Sequence, residues 1–227
     1  ISHPTHLKPK EYRDIRSYVP KKCVHTYAGH QNGISSIQFF PIYGHLLLSA
    51  SMDGTVKIWG TEQGNRTCIR TYYGHEKAVK GLSFNYDGTR FATSSYDKTV
   101  KLWDTETGKV IGTYSNGSIP YCVQINPSES MSHQMLAGCH DKKILQWDVR
   151  EKKIVQTYDR HLGSINTITF LDGGKQFLST SEDKSLRLWD YGIPVEIKYI
   201  ADPYMHATSF VGMHPSQKWL LGQSLDD

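Results

Sequence analysis

The chain has 227 residues, a formal net charge of +4 and 38% apolar residues, a composition that is ordinary for one globular domain. No apolar run approaches the roughly 20 residues that a membrane-spanning helix requires, and the first residues contain no apolar core of a secretory signal. The sequence therefore argues against an integral membrane or secreted protein, and its four scattered cysteines predict reduced thiols rather than a disulfide scaffold.

The N-terminal residues 1–21 form a basic arm. Six Lys and Arg residues stand against two acidic residues over 1–22, whereas the rest of the chain holds 20 basic and 20 acidic residues. A Pro-punctuated stretch with Tyr and His and no periodicity can pair with phosphates and stack on bases when it becomes ordered. The candidate contacts to RNA or to a partner are Lys8, Lys10, Arg13 and Arg16. The alternative is a solvated linker, or a strand that lies on a neighbouring protein.

A repeat of about 44 residues fills the remainder of the chain. In each unit an Asp precedes a Trp by six residues, and the successive Trp residues are 44, 44 and 42 positions apart: Trp59, Trp103, Trp147 and Trp189. In three units a His lies 22 or 23 residues before the Asp. A fifth, incomplete copy reaches Asp226. Spacing this regular predicts one structural unit repeated along the chain.

Each unit reads as four short strands separated by turn residues. The predicted strands of the first unit cover residues 34–39, 45–49, 55–59 and 68–72, and the second and fourth units open with strands over 79–84 and 165–170. We further expect a strand over 22–27 that completes a final blade, an exposed polar loop over 126–133, and no helix.

Four-stranded units of about 40–45 residues with Gly-His and Trp-Asp markers are typical of β-propeller blades. Over residues 22–227 the chain resembles the WD-repeat family: the Trp-Asp pair recurs in three units, although the first unit has Trp59-Gly60. The resemblance implies an all-β, WD-repeat β-propeller with four complete repeats and part of a fifth, from a seven-bladed whole. Because an open arc leaves raw strand edges, we expect about two C-terminal blades to be absent from this sequence.

A Ser or Thr, a His, an Asp and a Trp recur together in three units. Ser, His and Asp could form a hydrolase triad, but a triad is needed once, whereas three equivalent sets indicate architecture. The resemblance implies a hydrogen-bonded chain in which the Trp indole donates to the hydroxyl, the hydroxyl to His, and His to Asp. The twelve residues of this predicted network are His30, Ser49, Asp53, Trp59, His75, Thr93, Asp97, Trp103, His161, Ser179, Asp183 and Trp189.

The third unit departs from this pattern, with Asn116-Gly117 in place of Gly-His and Ala137 in place of Ser or Thr. This departure indicates either drift tolerated in one blade or a docking site. No zinc-ligand spacing, phosphate-binding loop or dinucleotide-binding loop is present, so we expect no metal, no cofactor and no small-molecule substrate.

In the family, the residue before each turn Asp lies on the face formed by the Gly-His loops. The resemblance therefore gives four candidate partner contacts, which are Met52, Tyr96, His140 and Glu182. Their large and chemically varied side chains suit recognition of a partner. Ordinary exposed turn residues are the alternative.

Segments outside the general repeat pattern narrow the function. Residues 110–123, 141–150, 156–163 and above all 193–206 resemble the pre-mRNA-processing factor seventeen family, also called cell-division-cycle-forty splicing factors. The resemblance implies a nuclear, non-catalytic scaffold of the spliceosome that acts around the second transesterification step. Its expected partners are spliceosomal proteins and, through the basic arm, pre-mRNA or small nuclear RNA, without a membrane.

Two alternatives remain open. The first is a substrate receptor of a cullin-type ubiquitin ligase, because Trp147-Asp148-Val149-Arg150 matches a W-D-x-R pattern of such receptors. The second is an enzyme that uses one of the His, Ser and Asp sets.

Overall fold

The structure, a computed structural model, describes residues 21–62, 66–214 and 219–224. In this part of the chain, four four-stranded antiparallel sheets and one two-stranded sheet follow one another along the sequence. Blade 1 is β1 (Ile34–Phe39), β2 (Leu46–Ser51), β3 (Val56–Gly60) and β4 (Cys68–Tyr72), and blade 2 is β5 (Val79–Phe84), β6 (Arg90–Ser95), β7 (Val100–Asp104) and β8 (Val110–Tyr114).

The remaining blades repeat this arrangement. Blade 3 is β9 (Pro120–Ile125), β10 (Gln134–Cys139), β11 (Ile144–Asp148) and β12 (Lys153–Tyr158). Blade 4 is β13 (Ile165–Leu171), β14 (Gln176–Ser181), β15 (Ser185–Asp190) and β16 (Glu196–Ala201), and blade 5 contributes β17 (Thr208–Met213) and β18 (Leu220–Ser224). The prediction of an all-β propeller with four complete repeats and part of a fifth is confirmed.

The first strands of neighbouring blades contact one another in sequence order, from β1 through β5, β9 and β13 to β17. Side chains from all five of these strands line a shared cavity. The first strands therefore line a central channel, and the fourth strands, at the opposite edge of each sheet, lie at the outer rim.

The apolar core lies between blades rather than inside a single sheet. Strands β2 and β3 bury side chains from both faces, as expected for the inner strands of a packed blade. In the cluster between blades 1 and 2, Ile58 and Tyr72 pack with Phe91 and Trp103 of the next blade. Trp103 stacks on Phe91 with a ring separation of 6.1 Å and meets the edge of Tyr72 at 5.8 Å. Each blade consequently completes its core with its neighbour.

Most predicted strands are confirmed within two residues of their bounds, and those over 34–39, 68–72 and 79–84 are confirmed at both ends. Residues 22–27 form no strand here, because the blade that they are predicted to complete is not among the described residues, and that pairing stays a prediction. Among the described residues, the expectation of no helix is corrected only by single 3₁₀ turns at Glu129–Met131 and Asp172–Gly174. No helix of the described residues is long and apolar enough to cross a membrane. All four cysteines are free thiols.

The polar loop predicted over 126–133 is wrong at its first residue, because Asn126 is fully buried. Its side-chain amide donates to the Gly174 carbonyl of the next blade over 3.1 Å, and its side-chain oxygen accepts from the Ser128 amide over 2.9 Å. Asn126 thus connects blades 3 and 4. Gly174, at φ 95°, sits so close that a Cβ at this position would overlap the Asn126 amide.

Two adjacent glycines offer a matched test of this contact. Gly173 also has a positive φ, but a Cβ there would meet nothing within 4 Å. We expect Gly173→Ala to cost roughly 1–2 kcal/mol of unfolding free energy for its left-handed backbone. Gly174→Ala should cost about 1–3 kcal/mol more, because the Asn126 amide must move. Urea unfolding of both variants measures the difference, and equal costs would contradict the proposed tie between blades.

Candidate functional site: polar networks and the channel mouth

The four predicted network residues of blade 1 form a continuous chain of hydrogen bonds. The indole Nε1 of Trp59 donates to Ser49 Oγ over 2.8 Å, and the same oxygen lies 2.8 Å from His30 Nε2. On the other side of the ring, His30 Nδ1 lies 2.9 Å from Asp53 Oδ2. Asp53 also accepts the backbone N–H groups of Gln31 and Thr55. The chain thus connects the loop before β1 with strands β2 and β3.

Blades 2 and 4 repeat this geometry. In blade 2 the distances along the chain from Trp103 through Thr93 and His75 to Asp97 are 2.9, 2.7 and 2.6 Å. In blade 4 the distances from Trp189 through Ser179 and His161 to Asp183 are 2.8, 2.7 and 2.9 Å. The hydroxyl-bearing residues are at most 1% exposed in all three blades.

The electrostatics of the network fix the direction of its hydrogen bonds. Burial lowers the pKa of His75 and of His161 more than the adjacent carboxylates raise it. Burial raises the pKa of Asp97 and Asp183, but hydrogen bonds from neighbouring hydroxyls, amides and histidines outweigh it, so each pKa lies below its ordinary value. A neutral His beside an ionised Asp must carry its proton on Nδ1. Its Nε2 then accepts from the hydroxyl, which itself accepts from the indole.

Blade 3 lacks this chain. Asn116-Gly117 stands where blades 1 and 2 have Gly-His, so this position has no imidazole. Asn116 makes a long 4.0 Å contact with the Cys139 sulfur and accepts the Ser118 amide over 3.1 Å, while Asp141 is exposed. Its Trp147 is nevertheless 7% exposed and packs against Tyr114 at 5.6 Å. The aromatic part of the unit is therefore kept where the polar part is lost.

A recurrent Tyr was missed by the sequence analysis. Tyr72, Tyr114 and Tyr158 end the outer strands of blades 1 to 3, and each lies 5.3–5.8 Å from the Trp ring of the following blade. Two of the hydroxyls also donate to the following blade. The Tyr72 hydroxyl donates to the Thr105 carbonyl of blade 2, and the Tyr114 hydroxyl donates to the Val149 carbonyl of blade 3. The signal was a Thr-Tyr pair before each Gly-His position.

Three of the four candidate partner contacts meet at the channel mouth. The ring of Tyr121 lies 5.9 Å from that of Tyr96 and 5.7 Å from that of His140. Glu182 and Tyr96 line the same cavity as Tyr121, whose volume is about 270 Å³. Met52 is 54% exposed and does not line this cavity.

Tyr121 itself was missed, although its position carries a signal. The second residue of the first strand in blades 2 to 5 lines the cavity, and these residues are Lys80, Tyr121, Asn166 and Ser209. The repeat makes these positions equivalent, whereas their side chains differ. Burial and the nearby Tyr96 and Glu182 groups raise the pKa of Tyr121, so its hydroxyl remains a donor at neutral pH. Aromatic faces with scattered donors and acceptors suit binding.

No group of three or more His, Cys, Asp or Glu side chains in the described ranges is placed to hold a metal ion. The candidate arm residues Lys8, Lys10, Arg13 and Arg16 lie outside the described residues.

Comparison with known proteins identifies the fold family. A family model described as WD domain, G-beta repeat matches residues 21–60, 66–104 and 152–190, about half of the chain. This chain belongs to the WD-repeat family. The stretch between the second and third matches contains the first three strands of blade 3. Blade 3 is also the blade that lacks the polar chain.

The WD-repeat chain is also similar to named relatives, in agreement with the predicted resemblance. Pre-mRNA-processing factor 17 of human and of mouse are each 51% identical to it over 212 residues, which is 93% of this chain and 36% of each relative. The Saccharomyces cerevisiae protein of the same name is 40% identical over 221 residues, which is 96% of this chain and 48% of the relative. The chain thus spans less than half the length of these relatives.

The W-D-x-R match at residues 147–150 does not mark a distinct surface. Trp147 is buried, and the Arg150 amide donates to Asp148 Oδ1 over 2.7 Å within an ordinary turn. None of the relatives named above carries a name that points to a ubiquitin ligase.

Thr93 provides a test of the polar chain in this WD-repeat protein. Thr93→Val keeps the shape of the side chain but leaves the Trp103 N–H and the His75 Nε2 without a partner. We expect a loss of about 1–3 kcal/mol of unfolding free energy for each stranded group. Thr93→Ser is the matched control, since blades 1 and 4 already use Ser, and it should cost about 1 kcal/mol for the lost methyl group. Urea melts that show equal losses would contradict the network.

The histidines predict a dependence of stability on pH. His75 and His161 have a lower pKa in the folded chain than the ordinary value of 6.5, so the unfolded chain binds their protons first. The stabilisation is complete above pH 6.5 and is lost as the pH falls below it. The free energy of unfolding should therefore decrease between pH 7.5 and 5.5, and His75→Gln should flatten this slope.

The exposed His25 provides the control, because His25→Gln removes an imidazole that takes part in none of the three described networks. Chemical unfolding at a series of pH values gives the slopes. A slope changed equally by both substitutions would show that the network histidines are not the source.

Proposed function

We propose that this protein is a non-catalytic scaffold of the spliceosome that acts in pre-mRNA splicing around the second catalytic step. The observation that carries the proposal is the 51% identity with human pre-mRNA-processing factor 17 over 93% of the chain. The aligned region covers 93% of the chain, so it includes the surface loops as well as the blades. The WD-repeat architecture alone does not require these loops to be alike. A nuclear location follows from the same proposal.

The geometry supports a structural rather than a catalytic role for the recurrent Ser, His and Asp. A nucleophilic hydroxyl must reach a substrate. Ser49, Thr93 and Ser179 are at most 1% exposed, and each hydroxyl oxygen already accepts an indole N–H. Three copies of this buried arrangement brace three blades.

The rigid blades support a binding role. Preformed surfaces lose little conformational entropy when several parts assemble on them. The aromatic and polar side chains at the channel mouth, Tyr96, Tyr121, His140 and Glu182, form one such surface. We assign protein contacts to it, with Met52 as a separate exposed contact on blade 1.

The basic arm is assigned to pre-mRNA or small nuclear RNA. The charge of the chain is concentrated there, and the blades hold equal numbers of basic and acidic residues. Electrostatic contact with phosphates therefore belongs to the arm rather than to the propeller surface.

Affinity purification of the full-length protein followed by RNA sequencing tests the function. We expect spliceosomal small nuclear RNAs and their proteins to be enriched. A second purification with Lys8, Lys10, Arg13 and Arg16 changed to Gln should retain the proteins and reduce ultraviolet crosslinking to RNA. Tyr121→Ser should reduce the protein partners, whereas Tyr204→Ser, at a side chain 90% exposed and outside the channel mouth, should not.

Each alternative has its own outcome in this experiment. Enrichment of a ubiquitin-ligase adaptor without small nuclear RNAs would favour the ligase receptor. Labelling of Ser49, Thr93 or Ser179 by an activity-based serine probe would favour an enzyme. Unchanged RNA crosslinking in the arm variant would remove the RNA contact alone.

A further inference from the structure

A groove lies between blades 1 and 2 on the outer side of the propeller, away from the channel mouth. Its volume is about 570 Å³, within the range of roughly 300–1,000 Å³ that is common for binding clefts. Its floor is apolar and comes mostly from blade 1: Phe40, Leu46, Ile58, Ile69 and Tyr72. Its rim comes mostly from the turns of blade 2 and carries charged side chains.

The apolar floor exists because blade 1 departs from the repeat at one cross-strand pair. In blades 2, 3 and 4 the second strand begins with Arg or Gln opposite the Asp of the Trp-Asp pair. In blade 4 this pair is a hydrogen bond of 3.0 Å from Gln176 Nε2 to Asp190 Oδ1. In blade 1 the same positions hold Leu46 and Gly60. Blade 1 thus has a leucine beside a glycine where the other blades have a polar pair.

The floor is accessible from the side. Ile69 is 51% exposed and occupies the bulge of β4, between the residues that pair with Ile58 and Trp59. Strand β4 is the outer strand of its sheet, and within the described part of the chain it pairs only with β3. An exposed strand edge beside an apolar depression is a surface to which an extended segment can bind.

The rim carries a small net negative charge. Asp87, Asp104 and Glu106 line the groove and form no ion pair within 4 Å among the described residues. The lining also holds two cations: Arg70 donates to the Thr107 carbonyl over 2.6 Å, and Arg90 pairs across the strands with Asp104. The three carboxylates therefore outnumber the two guanidinium groups in the groove.

We propose that this groove binds an extended protein segment. One large aliphatic or aromatic side chain of the segment covers Leu46, Ile58 and Ile69, and an adjacent Lys or Arg faces Asp87 and Glu106. A nucleic-acid backbone matches this surface poorly, since the carboxylates outnumber the guanidinium groups and repel phosphate, and the floor is apolar. The proposal does not depend on the role in splicing.

Site-specific photocrosslinking in cells tests the occupant. A benzophenone-bearing amino acid replaces Ile69 in the full-length protein, and the control replaces Val155, the bulge residue of the same strand in blade 3, which is 53% exposed. We expect position 69 to crosslink to one protein segment whose sequence, read by mass spectrometry, joins a large apolar residue to Lys or Arg. Crosslinking to RNA, the same products at both positions, or no product at position 69 would overturn the proposal.

A peptide with the captured sequence then gives the energetic test. Leu46→Gln introduces the residue that blades 3 and 4 carry at this position, so the fold should be retained, which a thermal melt verifies. It should weaken peptide binding at least about tenfold, as should Glu106→Lys at low salt. Val155→Gln should leave the affinity unchanged. An unchanged affinity for Leu46→Gln would show that the segment binds elsewhere.

Discussion

The architecture of blades 1, 2 and 4 depends on one buried hydroxyl in each blade, and this hydroxyl serves two partners. In blade 2, Thr93 Oγ1 lies 2.9 Å from the Trp103 indole nitrogen and 2.7 Å from His75 Nε2. Because an indole N–H is only a donor, and a neutral imidazole beside a carboxylate has one free acceptor, the hydroxyl is the group that can join them. A buried polar group without a partner is costly, so in blades 1, 2 and 4 this link offsets the cost of burying the indole N–H.

The links between blades are of a different kind. The Tyr at the end of an outer strand packs on the Trp of the following blade, and its hydroxyl binds across to complete the seam. Stability is then largely a sum of contacts between neighbours. This explains how blade 3 can lack the His and the hydroxyl, since Trp147 still receives Tyr114 and Tyr158 still packs on Trp189.

The two proposed binding surfaces arise where equivalent positions of the repeat differ. The second residue of each first strand changes from Lys80 to Tyr121 and Asn166, which gives the channel mouth its varied chemistry. The cross-strand pair that joins the start of the second strand to the third strand is polar in blades 2 to 4. In blade 1 it is Leu46 and Gly60, which opens the outer groove. Constant positions build the blades, and the variable positions give them distinct surfaces.

The sequence by itself determined the strands, their grouping into units and the members of each polar chain. These features depend on residues within one repeat, where alternation and fixed spacing report the register directly. It did not determine that Asn126 is buried or that Tyr121 joins Tyr96 and His140. These features depend on contacts between residues of different blades. The sequence does not show whether a polar side chain is covered by a neighbouring blade or exposed to water. Only the packing of one blade against the next decided them.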